Sequence, residues 1–154
     1  MQILTHPHHV LRQVSRNVPF VNSEILTTIH EMFDTMYNAE GCGLAAPQVG
    51  ILKRIFVMDV GKDYKNGLLA MINPEIIWSS KEMISFTEGC LSVPEKISDV
   101  RRHEAIKVRY MNESGATKET KAEGLMSVCI QHEIDHLNGV LFIDYLEQKK
   151  TASF

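Results

Sequence analysis

A chain of 154 residues, 44% of them hydrophobic, is long enough to bury a core without disulfide help, and its size is that of one folded unit, read here as a single domain over residues 1–154. Its 16 Lys and Arg against 19 Asp and Glu leave a formal charge of −3. That charge is evenly dispersed and the doublets Arg101-Arg102 and Lys149-Lys150 are short, so neither direct nucleic-acid binding nor a membrane surface is expected.

The three cysteines are not clustered in pairs, no secretory apolar run follows Met1, and no apolar stretch approaches the ~18 residues of a membrane span. The expectation is a cytoplasmic protein with reduced thiols. From Ile25 onward, Ile25, Leu26, Ile29, Met32, Phe33, Met36 and Tyr37 recur at helical spacing, with Asn22 or Ser23 available as N-cap, until Gly41 and Gly43 break the pattern. Short runs rich in Ile, Val, Phe and Tyr follow at 54–60, 68–73, 83–86 and 104–111. In the last of them Ile106, Val108 and Tyr110 alternate with Lys107 and Arg109, the pattern of a strand buried on one face. Such alternation, with no helical stretches between strands for crossovers, favours antiparallel sheet.

A second helix is predicted over 125–137, placing Leu125, Val128, Cys129, His132 and His136 on one stripe, with Asn138-Gly139 as its stop. The fold class is therefore α+β: short, mainly antiparallel sheets packed around a central helix that carries an HExxH motif.

Within QHEIDHLNG, His132 and His136 are four residues apart, so the ~100° turn per residue of a helix returns both imidazoles to one face. Two histidines on a buried stripe are costly without a partner, and a metal is the partner that this spacing suits, with Glu133 beside it to move protons. A catalytic metal usually takes a third protein ligand. Downstream stand only the acids Asp144 and Glu147. Upstream, Cys90 lies between Gly89 and Leu91, and as a thiolate it would bind strongly. Cys42 and Cys129 are read as small buried hydrophobes.

Three runs, GCGLAAPQVG at 41–50, EGCLS at 88–92 and QHEIDHLNG at 131–139, stand in an order and at separations that resemble the peptide deformylases. The resemblance covers nearly the whole chain, and HPHHVLRQVSRNV looks like the family's opening segment, so His6, His8 and His9 are read as local surface residues. The resemblance implies Cys90, His132 and His136 as ligands of one divalent ion, and Glu133 as general acid/base. It further implies that the Leu91 backbone N–H and the Gln48 amide stabilise an oxyanion. The implied reaction is hydrolysis of the N-formyl group from the initiator methionine of nascent polypeptides, with release of formate. The implied partners are N-formyl-methionyl nascent peptides near the ribosome. Gly43 and Leu44 would pair with the extended peptide, and Phe86, Leu125, Val128 and Cys129 would wall the methionine pocket, although the same residues would serve equally as core. The family favours ferrous iron, while a two-His, one-Cys shell also admits zinc, nickel or cobalt.

The match has departures. Many relatives carry an arginine beyond EGCLS where this chain has Ile97, and Cys42 takes a position usually aliphatic. Arg101 and Arg102 could meet the peptide backbone or carboxylate, but they read rather as solvated surface charges. Bacterial relatives of one class continue into a longer C-terminal helix, whereas this chain ends soon after Tyr145 and Leu146. Two other readings compete: a general zinc endopeptidase, disfavoured by the upstream cysteine, and a metal-binding protein without turnover, for which Glu133 and Gln48 would have no task.

Overall fold

The structure is a computed structural model that describes residues 1–61 and 67–146; Glu147 and the Lys149-Lys150 doublet lie outside the described residues. A 3₁₀ turn at His9–Arg12 precedes helix α1 (Ser23–Asn38), strand β1 (Gly43–Ala45), a second 3₁₀ turn (Ala46–Val49) and β2 (Ile55–Asp59). Then come β3 (Leu68–Ser79), β4 (Met83–Cys90), β5 (Val93–His103), β6 (Ala105–Met111), β7 (Thr117–Glu123) and helix α2 (Gly124–Leu137).

Five strands form one sheet in the order β1-β2-β3-β6-β7, β4 and β5 form a separate hairpin, and every ladder is antiparallel. The α+β expectation therefore holds, with α2 as its centre: it packs on β1, β2, β6 and β7 of the sheet and on β4 and β5 of the hairpin. Most of α2 is buried, including both histidines and Glu133, as befits a helix with layers on both sides. Met126, Ile130, Ile134 and Leu137 meet Phe56, Met58, Met71 and Val108 of the sheet in one core cluster. A second cluster lies between α1 and the sheet, built on Ile25, Ile29, Met32 and Met36. Of the apolar residues predicted for α1, Leu26 and Tyr37 are exposed instead; Tyr37 donates to Asp59 at 2.8 Å. Asn22 caps the helix by accepting the Ile25 N–H at 3.0 Å.

Several strands exceed or escape the predicted ones. β3 runs on past Asn73-Pro74 because Asn73 adopts a left-handed φ of 52° at a register shift and ties its side chain to the Val18 backbone, accepting at 2.8 Å and donating at 2.8 Å. β5 and β7 carry VPEKISDVRRH and TKETKAE, exposed at most positions. Their strand form is imposed by pairing with β4 and β6, not by any apolar alternation.

The N-terminal segment straps the three motif regions together. The Leu4 N–H donates to the Gln48 carbonyl at 2.7 Å and the His6 N–H to the Ser92 carbonyl at 2.8 Å. His6, His8 and His9 are exposed, and His8 Nδ1 accepts the Val10 N–H at 3.2 Å, a local capping role. At the end of α2 the Leu137 carbonyl accepts from the Ser15 N–H at 2.8 Å and from Arg54 at 3.0 Å. Gly139 there has φ 73°, and a Cβ on it would meet the Arg12 carbonyl oxygen at 2.5 Å. Gly139→Ala therefore combines left-handed strain with a backbone clash and should lower unfolding free energy by roughly 2 kcal/mol or more. Urea denaturation of the two proteins checks this, and an unchanged midpoint would mean that the junction relaxes freely.

Candidate metal centre

Three side chains from two elements converge. Cys90 ends β4 just before the turn at residues 91–92, and His132 and His136 project from successive turns of α2. Cys90 Sγ lies 3.3 Å from His136 Nε2, and His136 Nε2 lies 3.2 Å from His132 Nε2. The donor atoms of this Cys/His trio all fall within 4.8 Å of one another, and the histidines are buried while Cys90 is half-buried. A tetrahedral shell with bonds of ~2.0–2.3 Å holds adjacent ligand atoms about 3.3–3.6 Å apart. The observed spacing is close to that, and the donor set is one sulfur and two imidazole nitrogens, so the residues fit a divalent transition metal.

The histidines are prepared for such a role by their surroundings. His132 Nδ1 lies 2.7 Å from Glu88 Oε1, which in the neutral imidazole directs the proton to the carboxylate and turns Nε2 as the lone-pair nitrogen toward Cys90 and His136. Burial drives the His132 imidazolium down. Hydrogen bonds to Cys90 and Glu88 and the Glu133 charge outweigh that and carry its pKa up to about 10. A group so raised marks a spot where positive charge is favoured. Burial, together with His132 and Arg102, drives His136 the other way and keeps it neutral.

Glu88 is in turn held by Arg102 through two hydrogen bonds, 2.6 Å from Nε and 2.9 Å from Nη2. Arg102 also donates to Asp135 at 2.9 Å, and Asp135 accepts the Tyr145 hydroxyl at 2.7 Å. Burial raises the Glu88 carboxyl, yet its bonds from His132 and Arg102 prevail and hold it below the ordinary carboxylate range. The expectation of a solvated Arg102 is thus corrected: it is 3% exposed and paired with two acids. Arg101, its neighbour on an alternating strand, points outward and is exposed. Sequence reasoning also missed Glu88 and Gln131. Gln131 binds helix to hairpin, donating to the His103 carbonyl at 2.8 Å and accepting its N–H at 3.2 Å. Their places at the head of EGCLS and QHE, beside proposed ligands, were the available signal.

A cleft of about 460 Å³ opens beside the cluster. Phe86, Leu125, Val128 and Cys129 all line it, with Gly43, Gln48, Leu91, Cys90, His132 and Glu133. Leu44 does not line it; the side chain is fully buried in the cluster against α1, and the backbone pairs with Val57. Glu133 is buried, and a Cβ on Gly43 would come within 2.6 Å of its Oε1, so β1 passes directly over the carboxylate. Glu133 Oε2 has no hydrogen-bond partner among the described residues. Burial pushes its carboxyl up to about 8, with Cys42 and Glu88 adding to the rise and His132 and Arg102 opposing it. Gln48 is clamped: its Oε1 accepts the Ala45 N–H at 2.9 Å, while Nε2 donates to Ser92 at 3.0 Å and lies 3.7 Å from Cys90 Sγ.

Asp144, a downstream candidate ligand, is engaged elsewhere. It takes both terminal nitrogens of Arg12, at 2.7 and 3.1 Å, and the Leu141 N–H at 3.0 Å. Of the two cysteines expected to be buried hydrophobes, Cys129 is buried but Cys42 is exposed, with its sulfur 4.0 Å from that of Cys129. Ile97 stands 76% exposed on β5, opposite Gly89.

The bond from Glu88 to His132 predicts that Glu88→Gln, which keeps the shape but not the charge, weakens Zn²⁺ binding by roughly 10- to 100-fold. Competition against a chromophoric chelator measures this. Unchanged affinity would confine Glu88 to pairing Arg102.

Comparison with known proteins agrees along the whole of this architecture. A model of the polypeptide deformylase family matches residues 1–152. A peptide deformylase of Phenylobacterium zucineum is 47% identical over 97% of this chain and 89% of that protein. The crystal structure of peptide deformylase from Ehrlichia chaffeensis superposes with a TM-score of 0.92 at 39% identity, covering 97% of this chain and 89% of that one. The same organism's enzyme in complex with actinonin gives 0.90 at 40% identity, over 94% and 87% of the two chains. With a family match over nearly its full length, close relatives of similar size and a shared fold, the chain belongs to the peptide deformylase family of enzymes.

Proposed function

We propose that the chain is a single catalytic domain that removes the N-formyl group from the initiator methionine of nascent polypeptides and releases formate. The observation that carries this reading is the Cys90, His132 and His136 trio set beside a buried Glu133 at the cleft. A divalent ion held by the trio supplies Lewis acidity, lowering the pKa of water and polarising a carbonyl. Ferrous iron is the proposed ion in the cell, with zinc, nickel or cobalt able to replace it.

The chain's own residues account for the rest. Glu133, whose Oε2 is uncommitted, takes the proton of the attacking water and later delivers it to the methionine nitrogen as the C–N bond breaks. The formyl oxygen becomes an oxyanion, and the Leu91 N–H and the Gln48 amide are its proposed donors. The Ser92 and Ala45 bonds of Gln48 fix its plane in advance. Each donor of this kind is worth about 3–4 kcal/mol of barrier. The methionine side chain enters between Phe86, Leu125, Val128 and Cys129. β1 is an edge strand of its sheet, so the Gly43 and Leu44 backbone is placed to pair with the extended peptide, whatever the burial of the Leu44 side chain.

Among the described residues the endopeptidase reading loses its downstream candidate, since Asp144 is paired with Arg12. A structural metal site is generally closed by four protein ligands, whereas the described residues bring together three. No helix among the described residues is long and apolar enough to cross a membrane; cytoplasmic action on nascent peptides near the ribosome belongs to the proposal.

Anaerobic purification with metal analysis, coupled to formate release from formyl-Met peptides, tests the whole reading; cleavage of internal peptide bonds instead would overturn it. Glu133→Ala should retain metal while turnover falls by several orders of magnitude, and a near-normal rate would remove Glu133 as acid/base. Cys90→Ser should lower metal content and activity together. If both survive, the third ligand lies elsewhere.

A further inference from the structure

The cleft carries a pair of thiols whose sulfur chemistry neither the trio nor the proposed reaction uses, although Cys129 also walls the proposed methionine pocket. Cys42 lies in the segment joining α1 to β1 and is exposed, while Cys129 is buried on α2, one turn before His132. Their sulfurs are 4.0 Å apart although the residues are 87 positions apart in the chain. Both line the cleft wall, so one sulfur is open to small solutes and the other is held directly behind it.

We propose that Cys42 and Cys129 form an oxidisable dithiol that a hydroperoxide converts into a disulfide across the wall of the cleft. A disulfide brings its sulfurs to ~2.05 Å, so the pair must close by about 2 Å. The Cys42 side can supply that movement. Gly41 and Gly43 flank it, and Glu40 before it already has a left-handed φ of 58°, whereas Cys129 is fixed in the helix interior.

The chemistry balances without any group from the metal trio. The Cys42 thiolate attacks the peroxide O–O bond, gaining one oxygen as sulfenic acid and releasing an alcohol, or water when the oxidant is hydrogen peroxide. The Cys129 sulfur then attacks the sulfenic sulfur, the S–S bond forms, and the hydroxyl leaves as water with the Cys129 proton. Two thiols are oxidised by two electrons and one peroxide is reduced.

The consequence would reach the cleft through the flanking glycines. A Cβ on Gly41 would stand 2.7 Å from Leu91 Cδ1, and one on Gly43 2.6 Å from Glu133 Oε1. A segment packed this closely against both side chains changes its spacing to them when it is drawn toward α2, so the disulfide would reshape the cleft beside Leu91 and Glu133.

The test uses the full chain loaded with Zn²⁺, exposed to limiting hydrogen peroxide, quenched with iodoacetamide and mapped without reduction. The expected result is loss of two of the three free thiols, an intact mass lower by two hydrogen atoms, a Cys42–Cys129 linked peptide, and full reversal by dithiothreitol. Cys42→Ser should abolish the mass loss, and Cys129→Ser should leave a Cys42 sulfenic acid that dimedone traps. Both thiols still alkylated after the oxidant is consumed would overturn the proposal, as would a Cys42–Cys90 linkage or over-oxidised Cys42 beside a free Cys129. These readouts are covalent, so they stand or fall separately from the deformylase reading.

Discussion

The site depends on one buried carboxylate. Glu88 accepts from His132 Nδ1 on one side and from two nitrogens of Arg102 on the other, and Arg102 passes the connection on to Asp135 of α2. An isolated charge at this depth would cost several kcal/mol, and removing one member of a buried set leaves the others uncompensated. The network therefore joins β4, β5 and α2 in an all-or-none manner. It also fixes which imidazole nitrogen of His132 faces Cys90, a matter of proton placement that apolar packing does not decide. Tyr145 extends the network, donating to Asp135 while the Arg102 guanidinium lies 5.0 Å from its ring centroid.

A second constraint is close approach. Glu133 can sit beneath β1 only because residue 43 has no side chain, and Leu91 can fold over residue 41 for the same reason. The glycines of GCGL thus place an edge strand against the carboxylate proposed to move protons. The alanines that follow serve packing: Ala45 joins the cluster around α2, and Ala46 the cluster beneath α1. Within β1 the successive residues Leu44 and Ala45 face two different cores, and Ala46 at the start of the 3₁₀ turn returns to the first, which is why the motif is so densely apolar and small.

Much of this was legible in the sequence because it rests on local periodicity. The four-residue spacing of His132 and His136, the Asn22 cap, the alternation at Ile106 and Val108 and the stop at Gly139 follow from helix and strand geometry alone. The chemistry of a thiolate points to Cys90 as a ligand, and β4 carries it to the histidines. What escaped depends on tertiary partners. β5 and β7 are charged strands whose only reason to extend is the strand beside them. Arg101 and Arg102 look alike in a sequence, yet one points to solvent and the other to Glu88. Cys42 and Cys129 look like equivalent small hydrophobes in a sequence. Their opposite exposures arise because one lies on a connecting segment and the other inside a helix packed on both faces.

The charge balance explains why this interior calls for a cation. Glu88, Glu133 and the Cys90 sulfur act on His132, Asp135 is reached through Arg102, and Arg102 is the one buried guanidinium or ammonium group among the described residues. The protein alone holds a proton on each group for a different reason: burial raises Glu133, against the opposing charge of His132, while hydrogen bonds to Cys90 and Glu88 and the Glu133 charge raise His132 against its burial. A divalent ion placed among Cys90, His132 and His136 would supply the same countercharge from a fixed point. It would displace the imidazole proton and draw the Glu133 carboxyl back toward its ionised form. Metal binding and the readiness of Glu133 to accept a proton are then two aspects of one electrostatic condition. A fold that buries two carboxylates, Glu88 and Glu133, and one arginine would, in this sense, be completed by its ion.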